Sequence, residues 1–157
     1  MITLGNPAID RPNDLGTFAT GIELSNRSNA DGTLTVVEIF FRQLSTIDIT
    51  FATFFLLSGN TWRFRAEANV GTVPAGFSSH AVNIPVRVGD GIGLCTQEGS
   101  LVLTLTGGQD KFDSGCFTNT QHDYGADGAH ILSIRATGFE ASGGQISVGH
   151  IQRHLLL

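Results

Sequence analysis

Thr61-Trp-Arg-Phe-Arg-Ala-Glu-Ala68 alternates apolar and charged side chains without a break. A period of two residues is the pattern of an antiparallel strand with one face on a core and the other in water. It predicts Trp62, Phe64, Ala66 and Ala68 inward and Arg63, Arg65 and Glu67 outward. Ser58-Gly-Asn60 immediately upstream reads as a turn that reverses the chain. Before the turn, Ile47-Asp-Ile-Thr-Phe-Ala-Thr-Phe-Phe-Leu-Leu57 is β-branched and aromatic. Ile47, Ile49, Phe51, Phe55 and Leu57 share one of its faces, with Phe54 and Leu56 on the other.

The same texture extends in both directions. Thr33-Leu-Thr-Val-Val-Glu-Ile-Phe-Phe-Arg-Gln43 shows no 3.6-residue stripe. Val37, Ile39 and Phe41 share one face, while Leu34, Val36 and Phe40 share the other with Glu38 and Arg42. Downstream, the turn Gly71 to Gly76 leads into a strand from Phe77 to Ile84 and another from Val86 to Cys95. Pro85, between them, marks a break or an edge position. Ser100 to Thr106 places Leu101, Leu103 and Leu105 together, and Ala129 to Ala136 points Leu132 and Ile134 inward. With a strand around Thr17 to Leu24, the total is about eight. Short strands separated by glycine-rich turns predict an all-β, single-domain antiparallel β-sandwich, jelly-roll-like in its connections. The domain takes in residues 1–140, and residues 141–157 form a Gly-linked apolar C-terminal tail.

Composition narrows the class. A chain of 157 residues fills one domain. Only 15% of the residues are charged and the formal net charge is −5, the opposite of the basic stripe that nucleic-acid binding needs. No apolar run reaches the length of a membrane-spanning helix. The start, Met1 to Pro7, has neither the basic residues nor the apolar stretch of a secretory leader. Nucleic acid and membrane are therefore not expected partners. Cys95 and Cys116 are the only cysteines, so they form one bridge or remain two small buried thiols.

Two strands are apolar on both faces. Phe40, Phe54 and Leu56 fall opposite the obvious core set, so either another segment covers them or they pack between subunits. The tail Gln145-Ile-Ser-Val-Gly-His-Ile-Gln-Arg-His-Leu-Leu-Leu157 adds a second apolar surface, in Ile146, Val148, Ile151, Leu155, Leu156 and Leu157. Three terminal leucines are costly in water unless they dock on their own domain or on a neighbour. The neighbour is the expectation here.

Chemical motifs are sparse. Asp110, Asp113, Asp123 and Asp127 offer oxygen ligands for calcium. The loop that begins at Asp123 has Gly125 at its third position and Ile134 at its twelfth, where a bidentate glutamate belongs. No metal or other cofactor is expected. His122 and His130, like His80, His150 and His154, read as ordinary histidines rather than metal ligands. Gly76-Phe-Ser-Ser-His80 lacks the flanking glycines and the strand-to-helix turn of a nucleophile elbow. The expected protein is not an enzyme.

Three stretches carry a resemblance: Gly5-Asn-Pro-Ala-Ile-Asp-Arg11, Gly32-Thr-Leu-Thr-Val-Val-Glu-Ile-Phe40 and Val86-Arg-Val-Gly-Asp-Gly-Ile-Gly-Leu94. Together they resemble small jelly-roll-like modules of phage virion and tail-associated structural proteins known from environmental sequences. The resemblance spans most of residues 5 to 140 and implies a shell or appendage subunit in a virion assembled in a host cytoplasm. It implies no catalytic residues. The two-faced strands and the apolar tail make self-association the expectation, with other virion proteins as further partners. The competing expectation is a carbohydrate-binding module that stacks sugar on Tyr124 beside His122, Asp123 and Asp127, with Trp62 held in the core.

Overall fold

The structure is a computed structural model that describes residues 1–14, 19–96, 101–116, 120–125 and 128–142. Every helix or strand among them is a strand: β1 (Ile2–Gly5), β2 (Asn13–Asp14), β3 (Ala19–Glu23), β4 (Gly32–Phe41), β5 (Thr50–Ser58), β6 (Thr61–Asn69), β7 (Gly76–Val86), β8 (Gly91–Thr96), β9 (Val102–Thr104), β10 (Asp110–Ser114), β11 (Gln121–Asp123), β12 (Ile131–Leu132) and β13 (Ile134–Glu140). A four-stranded sheet has the order β1-β13-β4-β7, and a six-stranded sheet the order β10-β3-β8-β5-β6-β11. A small third sheet runs β12-β9-β2. All the ladders are antiparallel.

The eight principal strands are β1, β3 to β8 and β13. Counted in chain order, they alternate between the two large sheets as first-eighth-third-sixth and second-seventh-fourth-fifth. This is the double Greek key of a jelly roll. The remaining short strands lie in the excursion between β8 and β13, apart from β2, and two of them, β10 and β11, extend the six-stranded sheet at its two edges. Pro85 does not break a strand. It sits within β7, which forms one edge of the four-stranded sheet, where a missing N–H costs no ladder bond.

The main core lies between the two large sheets. Ile2, Leu4, Leu34, Val37, Ile39, Phe41, Phe51, Ile84, Ile92, Leu94, Leu132 and Ile134 meet there, with Leu101 and Leu103 from the excursion. Each such side chain contributes about 1.5–3 kcal/mol on leaving water. Leu105, expected beside Leu101 and Leu103, is 54% exposed, because β9 ends at Thr104.

Two β-bulges decide which residues reach this core. In β4 the register shifts at Thr35, so that Leu34 joins Val37, Ile39 and Phe41 on the inner face rather than sitting opposite them. In β6, Ala66 pairs with Thr53 and Phe64 pairs with Phe54, which leaves Arg65 unopposed. The extra residue reverses the alternation. Ala66 and Ala68 therefore pack on the main core, whereas Trp62 and Phe64 turn to the other side of the sheet. The uninterrupted inward row expected from Trp62 to Ala68 is split at Arg65.

Trp62 reaches a second core there, made with Ile22, Leu24, Ala52, Phe54 and Tyr124. Glycine makes the room for it. A Cβ on Gly91 would come within 2.6 Å of Leu24, and one on Gly93 within 2.9 Å of the Phe54 ring and 2.4 Å of the Gly21 carbonyl oxygen. The six-stranded sheet curls around this cluster and its two edges are tied by side chains. Asp113 of β10 meets Nε2 of His122 on β11 at 2.9 Å. Lys111 Nζ donates to Asn60 Oδ1 at 2.9 Å and to the Gly125 carbonyl at 2.7 Å. A disulfide between Cys95 and Cys116, with Cα atoms 5.2 Å apart, joins β8 to the end of β10.

Candidate functional site

The polar residues converge on one end of the sandwich. β3 carries one acid, Glu23, inside the otherwise uncharged run Ala19 to Leu24, and β10 begins at Asp110. The β3–β10 register places these two carboxylates opposite each other, and both are fully buried. Their oxygens are engaged. Glu23 Oε1 accepts the Ser25 amide at 2.7 Å, and its Oε2 accepts the Leu132 amide at 2.8 Å. Asp110 Oδ1 accepts the His130 amide at 3.0 Å, while its Oδ2 lies 2.9 Å from His130 Nδ1. A Cβ on Gly128 would fall 2.1 Å from Asp110 Oδ1, so glycine lets the chain pass this close.

Burial pushes the Glu23 carboxyl above its usual range, and the hydrogen bonds from Ser25 and Leu132 pull partly back. Arg11 supplies positive charge. Burial lowers its guanidinium pKa and the attraction of Glu23 raises it. The chemistry of this arrangement is anchorage: two acids hold the excursion, through Leu132 and His130, against β3 and β10. A general acid or base needs reach to a substrate proton; Glu23 is instead turned onto two backbone amides, and Asp110 onto one amide and the His130 imidazole.

Among the calcium candidates, Asp110 and Asp113 lie on opposite faces of β10. Asp110 is aligned with Glu23, and Asp113 with Thr20. Asp113 is held below the usual carboxylate range first by its hydrogen bond to His122 and then by the Ser114 amide. Asp123 Oδ1 accepts the Gly125 amide at 3.0 Å, as an aspartate does when it closes a turn. Asp127 lies outside the described residues. Among those described, no group of three or more histidine, cysteine, aspartate or glutamate side chains is placed to hold a metal ion. His122 and His130 are each engaged with a different aspartate.

Tyr124, the aromatic expected to stack sugar, is buried at 4% exposure, and Trp62 is buried at 2%, as expected, although in the second core. Arg27 covers the Trp62 ring at 5.0 Å, and His122 packs edge-on against Tyr124 at 4.8 Å. Burial raises the Tyr124 hydroxyl pKa above its ordinary value.

The expected interface residues separate. Phe54 is fully buried against its own chain, in the second core, and so is withdrawn from any neighbour-facing surface. Leu56 is 46% exposed at the rim of that core, opposite Trp62. Phe40 is half-buried on the outer face of the four-stranded sheet. It stands opposite Phe77 in the β4–β7 ladder, and Phe77 is 55% exposed. Beside them, Arg135 Nε donates to Glu38 at 2.7 Å. Ile146, Val148, Ile151, Leu155, Leu156 and Leu157 lie outside the described residues.

The buried acid Glu23 was not anticipated, although an acid inside an apolar strand is itself a signal. Arg63 and Arg65, which the alternation assigns to a solvated face, line a cleft beside β11. Compared with known protein families, curated proteins and solved structures, the chain matches none.

Proposed function

We propose that this chain is a non-enzymatic structural subunit that works through its outer surfaces, of the kind that builds a virion or a similar extracellular assembly. The observation that carries the reading is the Phe40–Phe77 pair. Two aromatic rings stand directly opposite each other on a sheet face that no described element covers, with Ser79 and Ala81 exposed beside them. Cross-strand aromatic pairs stabilise a sheet, but Phe77 leaves more than half its surface in water. A second copy of the chain seated on this face would bury it. The apolar residues from Ile146 to Leu157 would add anchors or a further strand to the neighbour. The commitment of Glu23, Asp110 and Asp113 to backbone or side-chain partners within the chain supports a structural role. The burial of Tyr124 counts against the sugar-binding alternative.

Light scattering tests the proposal on three proteins: the full chain, a chain ending at Ser142, and Phe77→Ser. The expected result is a defined oligomer for the full chain and a smaller species for at least one variant. Monomers throughout, at concentrations of about 100 μM or more, would overturn it, since that is far above the range of specific association.

A further inference from the structure

We propose that the cleft between β6 and the start of β11 binds an oxyanion: the carboxylate, sulfate or phosphate group of a small ligand. The cleft encloses about 520 Å³ and is lined by Arg63, Phe64, Arg65, Thr120 and Gln121. That volume lies within the range of ligand sites, roughly 300–1,000 Å³. Its polar side chains are two guanidiniums, a hydroxyl and an amide, and no carboxylate lines it among the described residues.

The β6 bulge builds the site. Arg63 pairs with Phe55 across the ladder, and the inserted Arg65 lays its guanidinium 4.5 Å over the same Phe55 ring. Asp90, itself fully buried, then holds Arg65 from behind, Oδ2 to Nε at 2.5 Å and Oδ1 to Nη2 at 2.9 Å. Stacking and bidentate pairing make Arg65 a rigid donor, with Nη1 making no hydrogen bond among the described residues. Arg63 is exposed and has neither a hydrogen bond nor an ion pair among those residues. One fixed and one adjustable guanidinium beside the half-buried Phe64 suit a planar or tetrahedral oxyanion carried on a small organic body. The chain as a whole is acidic. At physiological ionic strength screening acts over about 8 Å, so the charges lining the cleft dominate there.

The test is a titration of the full-length, 15N-labelled chain with inorganic phosphate, with D-glucuronate and with D-glucose as the neutral control. Saturable NMR shifts are expected at the Thr120 and Gln121 amides and at Arg63 Nε–Hε with at least one anion, and none with glucose. Saturation by phosphate alone assigns a phosphoryl ligand, by glucuronate alone an acidic sugar, and by both an oxyanion without regard to its carrier. Arg63→Gln should weaken binding about tenfold or more with an unchanged melting midpoint, while Arg87→Gln, outside the cleft, should leave it intact. Three results would each overturn the proposal: no saturable shift up to about 10 mM anion, binding that survives Arg63→Gln, or equal loss in Arg87→Gln.

Discussion

Glu23 and Asp110 occupy opposite positions of one antiparallel ladder, and neither carboxylate touches solvent. Burial raises the Glu23 pKa in the folded chain. The folded state therefore holds its proton to higher pH than the unfolded state does. Stability falls as pH rises from the unfolded glutamate value, about 4.3, through the folded one. Asp113 and Glu140 act with the opposite sign. Each is held low, by His122 and by the N-terminal ammonium respectively, so each contributes stability at neutral pH that is lost on acidification.

The difference between the parent and Glu23→Gln isolates the first effect. Melting midpoints of both proteins, measured between about pH 4 and pH 8, should show the parent losing ground to the variant as pH rises. Parallel curves would remove Glu23 from the pH response.

Gly93 and Gly59 should respond differently to alanine. At Gly93 the new Cβ meets the Gly21 carbonyl oxygen at 2.4 Å, and backbone in a central sheet cannot step aside. A loss of about 2–4 kcal/mol is expected. Gly59 has φ of 52° and open space around it, so only conformational strain of about 1 kcal/mol applies. Urea denaturation of the two variants gives both numbers on one scale.

Reduction of the Cys95–Cys116 bridge frees a loop that spans 21 positions and contains β9 and β10. The chain-entropy estimate for such a closure is about 3 kcal/mol. Guanidinium denaturation of the double variant Cys95→Ala/Cys116→Ala should show a loss of that order. An unchanged midpoint would mean that the second core alone holds the excursion in place.

The strands were legible where hydrophobic alternation and turn glycines agree, as in Thr33 to Gln43 and in the turn Ser58 to Asn60. What escaped was parity. A bulge inserts one residue without altering local composition, so nothing in Thr33 to Gln43 marks Thr35, and nothing in Thr61 to Ala68 marks Arg65 as the point where the face reverses. The second core escaped for a related reason. It gathers Ile22, Phe54, Trp62 and Tyr124 from four separated segments, and it forms only because the sheet curls. The same holds for Glu23 and Asp110, which become neighbours only once β3 and β10 are paired. Asp110 and Asp113, which offer oxygen ligands in the sequence, are three apart on one strand and so face opposite ways.

Lys111 is 1% exposed and gives its ammonium protons to Asn60 and Gly125. Lys111→Met keeps most of the aliphatic packing and leaves both acceptors without that donor. The expected cost is about 2 kcal/mol, read as a lower denaturant midpoint at unchanged slope.

It is also the only lysine in the chain. With that amine sealed inside the curled sheet, the one primary amine left on the described surface is at Met1, where it meets Glu140 at 2.8 Å. Reagents that acylate amines should therefore attach a single label, at the N-terminus, while the molecule is folded. Unfolding should double the yield, so that simple covalent tagging becomes a count of open molecules.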